Sequence, residues 1–311
     1  MSFDIGLTLL VLAVAAWTIA ARETFVAVVG FVAYGLLLAF VWVRLAAPDV
    51  ALTEAALGSG LTGGLLIGAS SRLRRSQSPA AEEAPGVVLK AAAAVLSILV
   101  SAGLAAIVLL LPDPAPTLAP QAAASIAATG LGNPVTAVLM AYRAIDTLLE
   151  IVVLLLALLG IWSLAPDRVW GGFPGPHHDA DPQGVLTFAA QLLVPVGILV
   201  GVHIFWVGSV APGGEFQAAT ILAAMWILAA MVGLVDAPPV SRRWLRILLV
   251  AGPAVFFAIG LAGFAMAGAF LAYPPPYAKL LILTIEIPLT LSIAATLALL
   301  VAGPPERAPQ R

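Results

Sequence analysis

Nine apolar runs of about 20 residues follow one another along the chain, and they constrain its fold more than any other feature. An α-helix needs about 20 apolar residues to cross the hydrocarbon core of a bilayer. Inside lipid, every backbone polar group must also be bonded within the protein. The runs therefore predict an all-α polytopic membrane protein with about nine transmembrane helices. They cover residues 3–21, 24–46, 48–70, 89–111, 134–164, 185–208, 215–235, 243–271 and 278–302.

The composition agrees with a membrane protein and excludes several other classes. The 311 residues are 62% hydrophobic and 10% charged, whereas a soluble domain carries about 25% charged residues. The absence of cysteine excludes disulfides and thiolate-bound metal centres within the chain, and three histidines are too few to indicate a metal site. The start, MSFDIGLTLL, has an acid and no basic region, so no cleavable signal peptide is expected.

The basic residues predict an orientation. In a nine-span arrangement, 11 of the 14 lysines and arginines lie on the side that holds residues 71–88, residues 165–184 and the C-terminus. Basic residues are enriched on the cytoplasmic side of membrane proteins. The N-terminus is therefore predicted to lie outside and the C-terminus in the cytoplasm. The opposite side holds Arg44, Arg143 and Lys279.

The third run opens with two acids. Pro48 suits the first turn of a helix, and Asp49 lies where the helix dipole favours a negative charge. Glu54 follows roughly 8 Å deeper at about 1.5 Å per residue. An acid inside a membrane span is expensive and is a functional candidate by default. The alternative is that Asp49 only caps the helix, next to a packing face of small residues at Ala56, Gly60 and Gly64.

Two further runs carry acids. In the fifth run, Arg143, Asp146 and Glu150 have the spacing i, i+3, i+7 and share one helix face. They indicate either a step in a proton or ion path or a self-neutralised stripe that holds a neighbouring helix. In the ninth run, Glu286 precedes Pro288, which kinks a helix. This acid marks either a hydrated site or a partner for a basic residue on another helix or subunit.

The region around the start of the seventh run offers weaker candidates. His203 lies near a helix end beside aromatic residues, where packing is the commoner role. Glu215 follows Pro212-Gly213-Gly214, and its simplest role is that of an acid at the start of a helix, where the helix dipole favours a negative charge. His177-His178-Asp179 is interpreted as part of a solvated loop.

Three stretches resemble the membrane subunits of one group of complexes. The sequence APDVALTEAALGSGLTGGLL at 47–66 resembles the D subunit of membrane-bound hydrogenases, which is also the C-terminal part of the A subunit of Mrp-type cation/proton antiporters. The Arg-x-x-Asp-Thr-x-x-Glu core at 143–150 resembles the hydrogenase E subunit. APGGEFQAATILAA at 211–224 and TIEIPLTLSIAATLALLVAG at 284–303 resemble the Mrp B subunit, although Glu215 replaces the third glycine of its turn.

The resemblance implies an accessory membrane subunit in the plasma membrane, built as an A-tail fused to a B-type subunit. Its implied regions are D-like at 1–88, E-like at 89–165, a cytoplasmic loop at 166–184 and B-like at 185–311. The implied partners are antiporter-like and small membrane subunits, with protons and, in the antiporter branch, Na⁺ as the ions. The residues themselves, as acids and polar groups in apolar runs, predict a proton or cation path through Glu54, Asp49, Asp146, Glu150, Glu286, Glu215 and His203, with Arg143 and Lys279 as structural charge partners.

Two other classes stay open at this point. A purely structural scaffold of a hydrogenase-like or other redox-driven complex would use the acids only to pair with neighbouring subunits. A membrane enzyme is the second, but the sequence has no nucleophile–base constellation, metal cluster or phosphate-binding loop. We therefore expect a transporter subunit that is not an enzyme and has no cofactor, metal or nucleic-acid partner.

Overall fold

A computed structural model describes residues 2–76, 86–112, 114 and 116–308 of the chain. Apolar helices make up most of this part, because a helix satisfies its own backbone hydrogen bonds in lipid. The helices are α1 (Ser2–Ala20), α2 (Thr24–Arg44), α3 (Pro48–Thr53), α4 (Thr62–Ser76), α5 (Val87–Leu110), α6 (Ala119–Thr129), α7 (Pro134–Ala137), α8 (Ala144–Trp162), α9 (Val185–Val207), α10 (Glu215–Met231), α11 (Arg243–Ala267) and α12 (Ala278–Ala302).

The number of spans agrees with the prediction. Eight helices in the described ranges are long and apolar enough to cross a membrane, and a bent helix pair brings the number to nine if it counts as one span. Helix α10 is also apolar, at 17 residues. The predicted class, an all-α multi-pass membrane protein with about nine spans, is confirmed.

The third span is not a regular α-helix. Helices α3 and α4 are joined by the π-helical segment Glu54–Leu61, so that Pro48–Ser71 forms one continuous span. A π-helical turn is wider than an α-helical one, and it rotates the side chains that follow relative to α-helical spacing. The hydroxyl of Thr62 donates to the carbonyl of Leu57 over 2.8 Å at the end of this segment. The faces predicted from α-helical spacing therefore hold only within short stretches of this span.

The structure differs from the sequence prediction between residues 112 and 164. The stretch 112–133, predicted as a loop, contains α6, which ends at Gly130 with φ +68°. The predicted fifth span is interrupted at Arg143, whose φ of −129° is not helical. The Thr147 hydroxyl donates to the Leu139 carbonyl over 2.7 Å and bridges this interruption. Helix α6 and the segment Pro134–Tyr142 meet at 88°, as in a broken span or a re-entrant loop.

Helix α12 lies at the centre of the bundle, and two other helices lie outside it. Helix α12 packs mainly against α10 and α11, and most of its residues are buried. The Ser292 hydroxyl also donates to the Leu249 carbonyl of α11. By contrast, no residue of α1 or α5 is buried. The described chain thus has one well-packed core and two helices whose surfaces face lipid or another protein.

One end of the bundle carries a small cap, which we call the strand end. Here β1 (Phe173–Pro174) pairs antiparallel with β2 (Pro305–Arg307). The Arg307 guanidinium donates two hydrogen bonds of 2.6 and 2.7 Å to Asp236, and it also lies 5.0 Å from the centre of the Phe173 ring. Because Arg307 stabilises the ionised carboxylate, the pKa of Asp236 lies below its usual range. Residues that follow α8, α10 and α12 meet at this end, as alternating spans require.

Candidate functional site

At the end of the bundle opposite the strand end, Asp49 holds several segments together. We call this end the Asp49 end. Asp49 is buried at the first turn of α3. Its Oδ1 accepts hydrogen bonds from Asn133 Nδ2 at 3.1 Å and from the Gly213 backbone N–H at 3.0 Å. Asn133 Nδ2 also donates to the Ala211 carbonyl over 3.0 Å. One carboxyl group therefore connects α3, the turn before α7 and the turn between α9 and α10.

The glycine at position 213 makes this joint possible. Gly213 has φ +149°, and a side chain there would collide with the Ile204 carbonyl. The turn can therefore approach α9 closely while its N–H faces Asp49. The joint continues inward, because Gln217 Nε2 donates to the Thr53 hydroxyl over 2.9 Å. The Pro-Gly-Gly motif thus serves to bring the start of α10 against the start of α3.

Glu215 and Glu286 form a buried carboxyl pair. Each is 3% exposed, Glu215 at the first position of α10 and Glu286 inside α12. The two carboxyl groups lie close enough to act on each other. Neither acid is ion-paired with any residue in the described ranges. The sequence named both residues, but their wide separation along the chain hid their contact.

Tyr273 completes this site and was not identified from the sequence. It lies between α11 and α12, and its hydroxyl is buried without a hydrogen-bond partner among the described residues. The charge of Glu286 acts on this hydroxyl, which places the two groups near each other. The surrounding sequence, YPPPY, predicts only a rigid turn, so it carries no signal for a polar group in the core.

Glu54, the first residue of the π-helical segment, lies apart from the carboxyl pair and faces α2. Its carboxyl group lies against Gly58 and Gly35, since a side-chain carbon at either glycine would crowd Glu54 Oε1. Ser59 faces the same gap at Gly35, and its hydroxyl is buried without a partner in the described chain. A half-buried acid and a buried hydroxyl without a partner in the described chain thus lie on the same gap beside Gly35. The glycine-rich stretch was the only sequence signal for Ser59.

The remaining predicted residues lie at the outer surface of the chain. Arg143 and Asp146 form a salt bridge with both side chains largely exposed. Glu150 is also exposed, and its charge reaches Glu215 of the carboxyl pair. His203 and Lys279 are exposed, and Lys279 lies next to Gly130 at the Asp49 end. The structure therefore does not join these exposed residues into one line with Glu54.

Comparison with family models identifies two domains in the chain. Residues 9–75 match the MbhD family, which is described as the D subunit of MBH. Residues 185–303 match the domain related to the MnhB subunit of Na⁺/H⁺ antiporter. The predicted resemblance to Mrp-type and hydrogenase-type membrane subunits is thereby confirmed. The longer of the two matches is to the MnhB-related family, whose description names a subunit of a transporter.

Solved structures support the same architecture. A chain in the structure of the Mrp complex from Dietzia sp. DQ12-45-1b matches with a TM-score of 0.71 and 23% identity, over 98% of this chain and 35% of that one. A chain of the membrane-bound sulfane sulfur reductase (MBS), an archaeal respiratory membrane complex, matches with a TM-score of 0.53 and 24% identity. That match covers 68% of this chain and 98% of the other. This chain thus spans about a third of the Dietzia chain. No curated protein matches.

Proposed function

We propose that the chain is an accessory membrane subunit of a multisubunit Mrp-type Na⁺/proton antiporter or a related energy-coupled complex. The observation that carries the proposal is the union of an MbhD domain and an MnhB-related domain in one bundle. The two domains are bonded directly, because Asp49 of the first accepts from Gly213 of the second. The exposed surfaces of α1 and α5 leave room for antiporter-like and small membrane subunits beside the chain.

In this proposal the chain supplies acids to a proton or cation path and bridges neighbouring subunits in the plasma membrane. It acts as a transporter component, without a catalytic centre or cofactor of its own. Its functional regions are the D-like part at 1–88, the E-like part at 89–165, the cytoplasmic loop at 166–184 and the B-like part at 185–311. The strand end would then face the cytoplasm and the Asp49 end the outside.

The orientation is tested by a reporter fused after Arg311, a residue outside the described ranges. We expect a fluorescent protein that matures only in the cytoplasm to be active at this position, since 11 of 14 basic residues lie on that side. A periplasmic phosphatase fused at the same place should be inactive. The reverse pattern would contradict the orientation.

The transport role is tested by Glu54→Gln. Glutamine preserves the shape of Glu54 and its capacity to accept hydrogen bonds but cannot take up and release a proton. We expect the complex to assemble normally and its ion-coupled flux in vesicles to fall roughly tenfold or more, as for the loss of a positioned proton-transfer group. The matched control is Glu23→Gln, which changes an exposed acid in the turn between α1 and α2. Flux is followed with proton- and Na⁺-sensitive dyes, and subunit content is checked on blue-native gels.

A structural scaffold of a hydrogenase-like or other redox-driven complex is the alternative function. The observation that favours it is the hydrogen bonding of Asp49, which joins segments 84 and 164 residues apart. In a pure scaffold, Glu54→Gln would leave flux at the level of the Glu23→Gln control. That result would assign the intramembrane acids to assembly and reject the transport role.

A further inference from the structure

The closeness of the Glu215 and Glu286 carboxyl groups favours a proton between them. An ionised carboxylate has only acceptor oxygens, so two carboxylates cannot hydrogen bond to each other. The two groups nevertheless lie close together in a site where each residue is 3% exposed. Glu215 Oε1 is buried and has no donor among the described residues. A proton held between the carboxyl groups accounts for both the contact and this unpartnered oxygen.

The charged groups around the pair do not replace that proton. The other charge that acts on Glu215 besides Glu286 belongs to a further acid, Glu150 of α8. Asp49 and Glu54 on the third span are also acids, and Lys279 is exposed at the start of α12. Helix α11 carries its arginines, Arg243 and Arg246, in its first turn at the strand end. Two negative charges at the pair would repel each other without compensation, which favours retention of one proton.

Tyr273 lies where it can connect the pair with water at the Asp49 end. It belongs to the turn that precedes α12, whereas Glu286 lies eight residues into that helix, about 12 Å along it at 1.5 Å per residue. The Tyr273 hydroxyl is buried and unpartnered in the described chain, and Glu286 acts on it electrostatically. A hydroxyl can donate one hydrogen bond while it accepts another. It can therefore pass a proton without a lasting change in its own charge.

We propose that Glu215, Glu286 and Tyr273 form one proton-binding site, in which the two carboxyl groups share a single proton that exchanges through the Tyr273 hydroxyl. When the pair has lost its proton, the Tyr273 hydroxyl moves into hydrogen-bond distance of Glu286 and gives it its hydrogen. The tyrosine oxygen then takes a proton from a hydronium ion at the Asp49 end, which becomes water. One O–H bond breaks and one forms at the tyrosine, and the carboxyl pair gains one proton.

Glu215 stands where the Mrp B turn that this stretch resembles has a glycine. The part of the proton-binding site in transport rests on the proposed function, but the shared proton does not. The two statements can therefore fail separately. A complex that holds the proton but transports normally after Glu54→Gln would reject the transport role of Glu54 and leave the proton site in place.

Infrared spectroscopy of the purified complex that contains the full chain tests the proton directly. At neutral pH the wild type should show the C=O stretching band of a protonated carboxyl group, with an intensity of one proton per chain. Glu215→Gln and Glu286→Gln should each remove this band, because the amide N–H₂ then donates to the remaining carboxylate. Glu23→Gln should retain it. Absence of the band in the wild type, or its persistence in both single variants, would overturn the proposal.

Two further measurements test whether a proton or Na⁺ occupies the carboxyl pair, and whether the proton exchanges through Tyr273. Addition of NaCl at constant pH should leave the band unchanged, and its loss would show that the pair takes up Na⁺ instead. Tyr273→Phe should keep the band but slow its shift after transfer into D₂O by several-fold, because the relay hydroxyl is missing. An exchange rate equal to that of the wild type would remove Tyr273 from the site. The wild-type measurements do not depend on the folding of any variant.

Discussion

Replacement of Asp49 by alanine should prevent stable assembly of this subunit. The change removes the acceptor of the Asn133 amide and of the Gly213 N–H. A buried N–H left without an acceptor costs about 1–3 kcal/mol, so the Gly213 N–H and the Asn133 N–H that is not bonded to Ala211 together cost roughly 2–6 kcal/mol. This is a large part of the stability of a typical domain, about 5–15 kcal/mol. The start of α10 would also lose its connection to α3.

The measurement is the amount of subunit in the complex on blue-native gels, together with the midpoint of thermal unfolding. Asp49→Asn retains one acceptor oxygen and should therefore give an intermediate loss. Glu23→Ala removes an exposed acid and should behave as the wild type. An Asp49→Ala complex with wild-type subunit content and midpoint would show that this hydrogen-bonded joint does not hold the two domains together.

Gly252→Val should separate α11 from α12 and lower the thermal midpoint strongly. A side-chain carbon at Gly252 would lie 2.8 Å from Leu289 Cα and 3.0 Å from Ser292 Cβ, so backbone and not only side chains must move. Overpacking of this kind costs about 1–3 kcal/mol and occasionally more. The displacement would also disturb the hydrogen bond from Ser292 to the Leu249 carbonyl. Because Glu286 lies on the same helix, the carboxyl pair would be misaligned as well.

The matched control for this substitution is Gly160→Val. Gly160 also lies inside a helix, α8, but a side-chain carbon there meets no atom within 4 Å. The two variants share the same change in helix propensity and differ in the space available. Thermal unfolding of the purified complex should therefore show a much larger decrease for Gly252→Val. Equal midpoints would mean that the contact between α11 and α12 is not tightly packed in the membrane.

The long apolar runs determined the class of the protein and most of its spans. The cost of placing polar groups in lipid depends on local sequence, so a window of about 20 residues suffices to identify a span. The same reasoning failed at α6, where an alanine-rich stretch forms a short helix. It also missed the interruption at Arg143, where the Thr147 hydroxyl bonds a carbonyl that the helix leaves free. The family resemblance, carried by short motifs, was also readable from sequence and agrees with the two matched domains.

The functional arrangement of the acids was decided by the tertiary structure. The sequence named Asp49, Glu215 and Glu286 as costly residues in a membrane, because an intramembrane acid is unusual wherever it lies. It could not show that Asp49 would be bonded to residues 84 and 164 positions away, or that Glu215 and Glu286 would meet beside Tyr273. Partners so far apart depend on how whole helices pack, and that packing follows from shape and close contact over the bundle rather than from local periodicity.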